Sequence, residues 1–149
     1  MANREFTLVR TVDAPQHDVF RAWTDPAHLD WLFNPAYSAD EATTVDLRVG
    51  GQWRQRMIID ESYNYMTGGI YRAVEPISRI VFAWGAIDGW PEIDPDDLDA
   101  GPIATVTLEA IDDETTAMTL HLQVPEARWH PAMQDGWSDT IDRLVAVYA

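Results

Sequence analysis

The side chains best suited to acid–base or metal chemistry are four histidines, because the chain has no cysteine. They are His17, His28, His121 and His130. No two of them have the i,i+4 spacing of a helical metal-binding pair, and no HExxH motif occurs, although ligands from distant strands could still converge. His121 stands between Leu120 and Leu122, which predicts that it faces solvent; an inward His121 would be the best candidate for a general base. We therefore expect neither a metal ion nor a cofactor.

Three other patterns invite chemistry and have a plainer interpretation. The glycines of Arg48-Val49-Gly50-Gly51 could bring backbone N–H groups to an anion, but the phosphate-loop signature and its lysine are missing, so we predict a hairpin with Arg48 in an ion pair. The six acids between Asp88 and Asp99 lack the spacing of a calcium loop, which predicts a solvated loop. No serine stands in a nucleophile-elbow motif.

Aromatic side chains are the strongest indication of a binding site, since seven tryptophans occur in 149 residues. In an apolar pocket such rings would give a flat or apolar ligand a large contact area, although the same rings could simply form the core. The candidate ligand-binding residues are Trp31, Phe33, Trp53, Gln55, Met57, Tyr65, Trp84, Trp90, Trp129, Met133 and Trp137. Of these, Trp31, Phe33, Trp90 and Trp129 flank predicted loops and would line the mouth of the pocket.

The net charge of −15 excludes several classes of partner. Nucleic-acid binders need a basic surface, and anionic membranes repel an acidic protein. No apolar run approaches the roughly 18 residues of a membrane span, and the first ten residues lack the apolar core of a signal peptide. We expect one domain over residues 1–149 in the cytoplasm, with no nucleic-acid partner and no membrane insertion.

Hydrophobic periodicity predicts the elements that must position these residues. A strand at 4–12 ends at Asp13-Ala14-Pro15, and two short helices follow, the second with Asp25 as N-cap and Pro26 as its first residue. Strands are then predicted at 43–49, 52–60, 65–74, 79–84, 103–111 and 116–124. Gly68-Gly69 within the third of these predicts a bulge or a sharp bend, and a long loop spans 85–102.

The last segment is a predicted amphipathic helix of about 17 residues. Its apolar face carries Met133, Trp137, Ile141 and Leu144, and Gly136 within it predicts a close approach of the helix to the sheet or to a ligand. Helices segregated from an antiparallel run of strands define the α+β class.

Short motifs support this order along nearly the whole chain. They are Asp13-Ala14-Pro15, Val19-Phe20-Arg21-Ala22-Trp23-Thr24-Asp25-Pro26 with Leu29, Asp46-Leu47-Arg48-Val49-Gly50-Gly51, Gly69-Ile70-Tyr71, Glu75-Pro76, Arg79-Ile80-Val81-Phe82-Ala83-Trp84 and Gly136-Trp137-Ser138 with Leu144. Their order resembles that of the START-like, helix-grip (SRPBCC) superfamily. Within it, the chain is similar to the single-domain activator-of-heat-shock-protein-90-ATPase-like (Aha-type) proteins.

The resemblance implies a curved antiparallel sheet of about six or seven strands wrapped around a long C-terminal helix, with two short helices after the first strand. A cavity between sheet and helix binds lipids, polyketides, hormones or aromatic molecules in relatives, and a few relatives catalyse cyclisation or hydrolysis. The co-chaperone that gives the family its name carries an additional N-terminal domain that binds the chaperone. This sequence does not include that domain, so a chaperone partner is not expected.

Three functional hypotheses follow. The first is a binder of a small apolar or aromatic molecule or a lipid, with its cavity closed by residues 85–102 and 31–37. The second is a cyclase- or hydrolase-type enzyme, which would need a polar group in the cavity; the candidates are Gln55, Tyr65, Arg48 and His121. The third is a chaperone-associated interaction module. The sequence leaves open whether the protein is an enzyme, and it leaves a homodimer as an open alternative.

Overall fold

Seven strands and three α-helices follow one another in the computed structural model, which describes residues 3–36 and 41–149 and, of Trp31, the backbone only. The elements are β1 (Asn3–Val12), α1 (Gln16–Thr24), α2 (Pro26–Phe33), β2 (Thr44–Val45), β3 (Gln52–Asp60), β4 (Tyr63–Glu75), β5 (Arg79–Trp84), β6 (Ile103–Asp112), β7 (Thr115–Pro125) and α3 (Ala132–Tyr148). Short 3-10 turns at Leu98–Ala100 and Glu126–Arg128 complete the described chain.

The strands form one curved, open sheet in the order β1-β7-β6-β5-β4-β3-β2, and every neighbouring pair is antiparallel. The core lies between this sheet and the helices, with Trp23 of α1 and Trp137 of α3 both buried. The predicted α+β helix-grip architecture, with two short helices after the first strand, is confirmed. No helix within residues 3–36 and 41–149 has the length and apolar character needed to cross a membrane.

Alternation of side chains along β7 shows how the sheet separates core from surface. Leu120, Leu122 and Val124 are fully buried, because every second residue of a strand faces the same side. His121 lies on the opposite face, where its Nδ1 is 3.0 Å from the hydroxyl of Thr7 on β1. The predicted outward position of His121 is therefore confirmed.

The start of α2 follows the capping pattern expected from the sequence. The carboxylate of Asp25 accepts a hydrogen bond of 3.0 Å from the backbone N–H of Ala27, and Pro26 is the first helical residue. Such a cap satisfies an N–H group that the helix itself cannot pair. In α1, by contrast, Pro15 is the N-cap and not the first helical residue.

The strand predicted at 43–49 is mostly wrong, because only Thr44–Val45 of that range forms a strand, β2. The chain then turns, with Gly50 at a φ of 83°. The N–H of Gly50 donates to the carbonyl of Tyr71 at 2.8 Å, so this turn uses its backbone donor within the fold. Arg48 pairs with Asp46 at 2.8 Å, which confirms the predicted ion pair.

The loop at 85–102 is solvated only in part, which corrects the expectation of a wholly solvated segment. The N–H of Gly85 donates to Gly68 O at 2.8 Å, and the N–H of Trp90 donates to Met66 O at 2.9 Å. Ile93 is buried behind them. The first half of the loop is thus bound to β4, whereas Asp94, Asp96, Asp97 and Asp99 are exposed.

Gly68 and Gly69 do not form the predicted bulge; the irregularity of β4 lies between Tyr71 and Ala73. The glycines are required by close packing instead. A Cβ atom on Gly69 would lie 2.6 Å from Nε1 of Trp53 and 2.8 Å from a ring carbon of Phe82. The two aromatic rings therefore occupy the space that a side chain would need.

Gly69→Ala is expected to lower the free energy of unfolding by about 1–3 kcal/mol, because overpacking a rigid core forces rings off their preferred positions. Urea denaturation followed by tryptophan fluorescence measures the change. Gly101→Ala is the control, since a Cβ there meets nothing within 4 Å. An unchanged midpoint for Gly69→Ala would contradict the packing described.

Tyr71 is an unusual core residue, because its buried hydroxyl has no hydrogen-bond partner within the described residues. Burial, with a smaller contribution from the charge of Asp46, raises the pKa of Tyr71 well above its ordinary value. A tyrosine whose pKa is raised on folding holds its proton in the native state after the unfolded chain has lost it. Stability is therefore complete below about pH 10 and declines as the pH rises further.

Tyr71→Phe is expected to keep the stability at pH 7 within about 1 kcal/mol, since the hydroxyl it removes is unpaired. Above about pH 10 the variant should lose stability less steeply than the native protein. Urea midpoints measured from pH 7 to 11 test both expectations. The same alkaline slope in both proteins would be inconsistent with a buried, protonated Tyr71.

Candidate functional site

A pocket of about 430 Å³ lies between α3 and the β3–β4–β5 part of the sheet. The end of α2 and the loop after β5 complete its wall. The lining residues are Phe33, Pro35, Met57, Ile59, Tyr65, Thr67, Trp84, Trp90, Ala132, Met133, Asp135, Gly136, Trp137, Asp139, Thr140 and Arg143.

Strand register and helical spacing bring these side chains together. Met57 on β3 is the direct partner of Tyr65 on β4, so their side chains share one face of the sheet. On α3, Met133, Trp137 and Thr140 are buried at spacings of four and three residues, which place them on one side of the helix. The pocket is the space left where this helix face and the sheet diverge.

The amide of Asn34 fixes the end of α2 against the pocket. Asn34 is 4% exposed, donates to Arg56 O at 2.9 Å and accepts from the N–H of Ile58 at 2.8 Å. β2 pairs with β3 only at Trp53 and Arg54. The bonds from Asn34 therefore occupy backbone groups of β3 that have no strand partner on that side. They hold Phe33 beside the pocket, and nothing in the sequence pattern predicted them.

A continuous series of aromatic rings forms the apolar wall. Tyr65 and Trp90 have centroids 5.7 Å apart, Trp90 and Trp84 5.5 Å, Trp84 and Trp137 5.2 Å, and Trp137 and Phe33 5.6 Å. All four contacts are edge-to-face, the arrangement that aromatic quadrupoles favour. Each ring therefore fixes the orientation of the next.

Few polar groups interrupt this wall, and most of those that do can donate. The indole N–H of Trp84 donates to Thr67 Oγ1 at 3.2 Å, which leaves the Thr67 hydroxyl hydrogen free to donate in turn. The indole N–H of Trp137 is buried and has no partner within residues 3–36 and 41–149. Burial raises the pKa of the Tyr65 phenol, so it keeps its proton at neutral pH.

Three charged side chains of α3 border the pocket. Arg143 is half-buried, donates from Nε to Leu32 O at 2.6 Å and from Nη2 to Thr140 Oγ1 at 3.1 Å. Burial lowers its pKa, and the charge of Asp139 opposes that shift. Asp135 and Asp139 are exposed, so the cation is fixed in the wall whereas the two carboxylates contact solvent.

Seven of the candidate residues line the pocket, and their role in binding stays a prediction. They are Phe33, Met57, Tyr65, Trp84, Trp90, Met133 and Trp137. The side chain of Trp31, like residue Tyr37 of the proposed closing segment, lies outside the described part of the structure.

Trp53, Gln55 and Trp129 lie away from the pocket. Trp53 is covered by the ring of Phe33 at 5.7 Å. Gln55 is 1% exposed and donates to the carbonyl of Leu29 at 2.8 Å, so it ties α2 to the sheet. Trp129 packs on Phe6 of β1, at 6.0 Å between centroids.

The polar part of the site was missed by sequence reasoning. Asp135, Gly136, Asp139, Thr140 and Arg143 border the pocket from α3. The apolar stripe located the helix face correctly, but it did not include the polar residues at its margins. Met133, Gly136 and Thr140 are three and four residues apart and so lie on one side of the helix. Including such polar and small residues in the predicted face would have found them.

The close approach to the sheet predicted for Gly136 is wrong, whereas the alternative, a close approach to a ligand, stays a prediction. A Cβ atom there would meet nothing within 4 Å, since the residue borders the open pocket. The residue therefore leaves space at the pocket and brings no backbone into contact.

Gly136→Ala is expected to raise the free energy of unfolding by up to about 1 kcal/mol, because alanine costs less backbone entropy in a helix and clashes with nothing. Thermal or urea unfolding measures the gain. A loss of stability would show that a Cβ is not tolerated at this position.

Of the four residues named for catalysis, only Tyr65 borders the pocket. Gln55 is engaged with α2, Arg48 is exposed and paired with Asp46, and His121 is on the outer face of the sheet. Within the part of the chain that the structure describes, no three His, Asp or Glu side chains converge as a metal site requires.

The curved sheet, the long helix it holds and the pocket between them define a START-like, helix-grip protein. A family model described as Activator of Hsp90 ATPase homolog 1-like protein matches residues 13–149, and the chain belongs to that family. This scaffold is in general one that binds small molecules. A comparison with curated protein sequences gave no match.

Solved structures similar to this chain agree on the fold. A protein from Arthrobacter aurescens has a TM-score of 0.76 and 22% identity, covering 97% of this chain and 85% of that one. Protein NE0264 from Nitrosomonas europaea has a TM-score of 0.72 and 24% identity, covering 95% and 92%. Protein CV1439 from Chromobacterium violaceum has a TM-score of 0.70 and 24% identity, covering 97% of each chain. At these identities the likeness shows the fold alone.

Proposed function

We propose that the protein binds a small apolar or aromatic molecule in the pocket between α3 and the sheet. The observation that carries the proposal is the unbroken series of five rings from Tyr65 to Phe33 along one wall. Rings held edge-to-face present a rigid apolar surface that loses little entropy when a ligand is bound.

Size and composition support this function. Pockets for small molecules usually measure about 300–1,000 Å³ and combine apolar walls with a few placed polar groups. The pocket of about 430 Å³ falls within that range. Its volume suits a ligand of two or three fused or linked rings, or a short lipid chain, better than a long lipid.

Ligand binding is favoured over catalysis by the nature of the groups that surround the pocket. The polar groups at its wall include the half-buried phenol of Tyr65, which can orient a ligand by a hydrogen bond, and the buried Thr67 and Trp137. Tyr65, the one catalytic candidate that borders the pocket, holds its proton at neutral pH because burial raises its pKa. It is therefore a poor base.

Gly136→Leu tests the proposal, because it introduces a side chain at the edge of the pocket whose Cβ meets no atom within 4 Å. The probe is the neutral dye N-phenyl-1-naphthylamine, whose fluorescence rises in apolar sites. The native protein is expected to bind it saturably with one site. Gly136→Leu should weaken that binding at least about tenfold, since the added side chain occupies the ligand's space.

Gly101→Leu is the matched control, since a Cβ there also meets nothing within 4 Å and the residue lies outside this pocket. It should bind the dye as the native protein does. Non-saturable binding, or equal affinity in native protein and Gly136→Leu, would refute the pocket as the binding site.

A further inference from the structure

The guanidinium of Arg143 is held in place at the wall of the pocket. Its Nε donates to Leu32 O at 2.6 Å, which joins α3 to the end of α2. Its Nη2 donates to Thr140 Oγ1 at 3.1 Å, and that hydroxyl in turn donates to Gly136 O at 2.9 Å. Two fixed contacts on a planar group leave little rotational freedom, so the remaining N–H groups are pre-organised.

Arg143 also differs from most arginines of this protein in its lack of an acidic partner. Among the described residues, seven of the ten arginines lie within 4.0 Å of a carboxylate oxygen. They are Arg4, Arg10, Arg21, Arg48, Arg56, Arg72 and Arg79. Arg143 has no carboxylate within that distance in the same residues, although acids outnumber bases in the chain by 25 to 10.

Two buried polar groups in the wall of the same pocket are donors as well. The N–H of Trp137, a residue 3% exposed, is without an acceptor in the described part of the chain. Thr67, also 3% exposed, has a hydroxyl hydrogen left to donate. A buried donor costs free energy unless an acceptor reaches it. Both donors are buried in the wall, so the half-buried guanidinium of Arg143 is the donor that the open space of the pocket reaches most directly.

The two carboxylates on the same helix do not reverse the preference of this donor for an acceptor oxygen. Asp135 and Asp139 are exposed and thus solvated, which weakens their action on a group inside the pocket. Asp139, one helical turn before Arg143, also acts on the guanidinium, but its exposure to solvent screens its repulsion of a carboxylate bound there.

We propose that the ligand is an aromatic or apolar carboxylic acid whose carboxylate binds the free N–H groups of Arg143. This inference rests on the proposed function, because it assigns a chemical class to the ligand of the same pocket. Nη1 of Arg143 makes no hydrogen bond to the described residues and is the donor available to a carboxylate. Hydrogen bonds between a guanidinium and a carboxylate are among the strongest in proteins.

Three probes of similar shape but different charge test the proposal at pH 7 in 0.15 M salt. At this pH carboxylic acids are ionised, because the pH lies about two or three units above their pKa. They are 2-naphthoate, 2-naphthamide and 2-naphthylmethylammonium, each titrated by calorimetry. The native protein is expected to bind the carboxylate at least about tenfold tighter than the amide. The cation should bind no tighter than the amide.

Two variants that each remove one positive charge locate the effect. Arg143→Gln should bring carboxylate and amide affinities within about twofold of each other. Arg54→Gln is the control, because Arg54 faces the opposite side of β3 from the buried Trp53 and Gln55. It should preserve the native ratio, which excludes an effect of net charge alone.

The possible outcomes distinguish a failure of the carboxylate proposal from a failure of the proposed binding function. Equal binding of carboxylate and amide to the native protein, or tightest binding of the cation, overturns the carboxylate inference and leaves the binding function intact. Failure of all three probes to bind overturns the binding function as well. The ratio in the native protein is decisive even if Arg143→Gln is too unstable to study.

Discussion

The packing of Trp137 against four other rings is the interaction on which the rest of the structure depends. This residue of α3 lies 6.0 Å from Trp23, 5.6 Å from Phe33, 6.3 Å from Phe82 and 5.2 Å from Trp84, measured between ring centroids. Its neighbours come from α1, α2 and β5, so one side chain sets the position of the long helix against three separate segments. Aromatic contacts of this kind add about 0.5–1.5 kcal/mol each beyond the area they bury. The pocket is the space next to this cluster, and its shape follows from the orientation of these rings.

The same helix supplies both the apolar and the polar parts of the site. Trp137 belongs to the core and to the pocket wall, whereas Gly136 leaves space beside it and Arg143 closes the far end of that wall. A protein with a formal charge of −15 thus has a cation fixed where a ligand would lie, and its nearby acids contact solvent. The acidity of the chain is in this sense a property of its surface, whereas the wall of the pocket includes the fixed guanidinium of Arg143.

The sequence predicted the elements well and the pocket only in part, for a physical reason. Periodicity located β3 and β5 with the bounds that the structure has, and Asp25-Pro26 marked the start of α2. Alternation along β3 also showed that Trp53 and Met57 share a face. It could not show that Phe33 covers Trp53 while Met57 stays beside open space, because that difference depends on α2, which Asn34 fixes through contacts distant in sequence. The roles of Gly69 and Gly136 could not be predicted for a related reason. A glycine can be present because a neighbouring atom leaves no room for a Cβ, as at Gly69, or it can border open space, as at Gly136, and the sequence does not distinguish the two cases.

The central claim is that a ligand occupies the space beside Trp137, and the indole N–H signals of the seven tryptophans report on it directly. A ¹H–¹⁵N correlation spectrum, assigned with single Trp→Phe variants, is recorded as N-phenyl-1-naphthylamine is added. The signals of Trp84, Trp90 and Trp137 should shift together and saturate, whereas that of Trp129, packed on Phe6 away from the pocket, should stay in place. Shifts at Trp129 as large as those at Trp137, or no saturable shift at Trp137, would contradict the account.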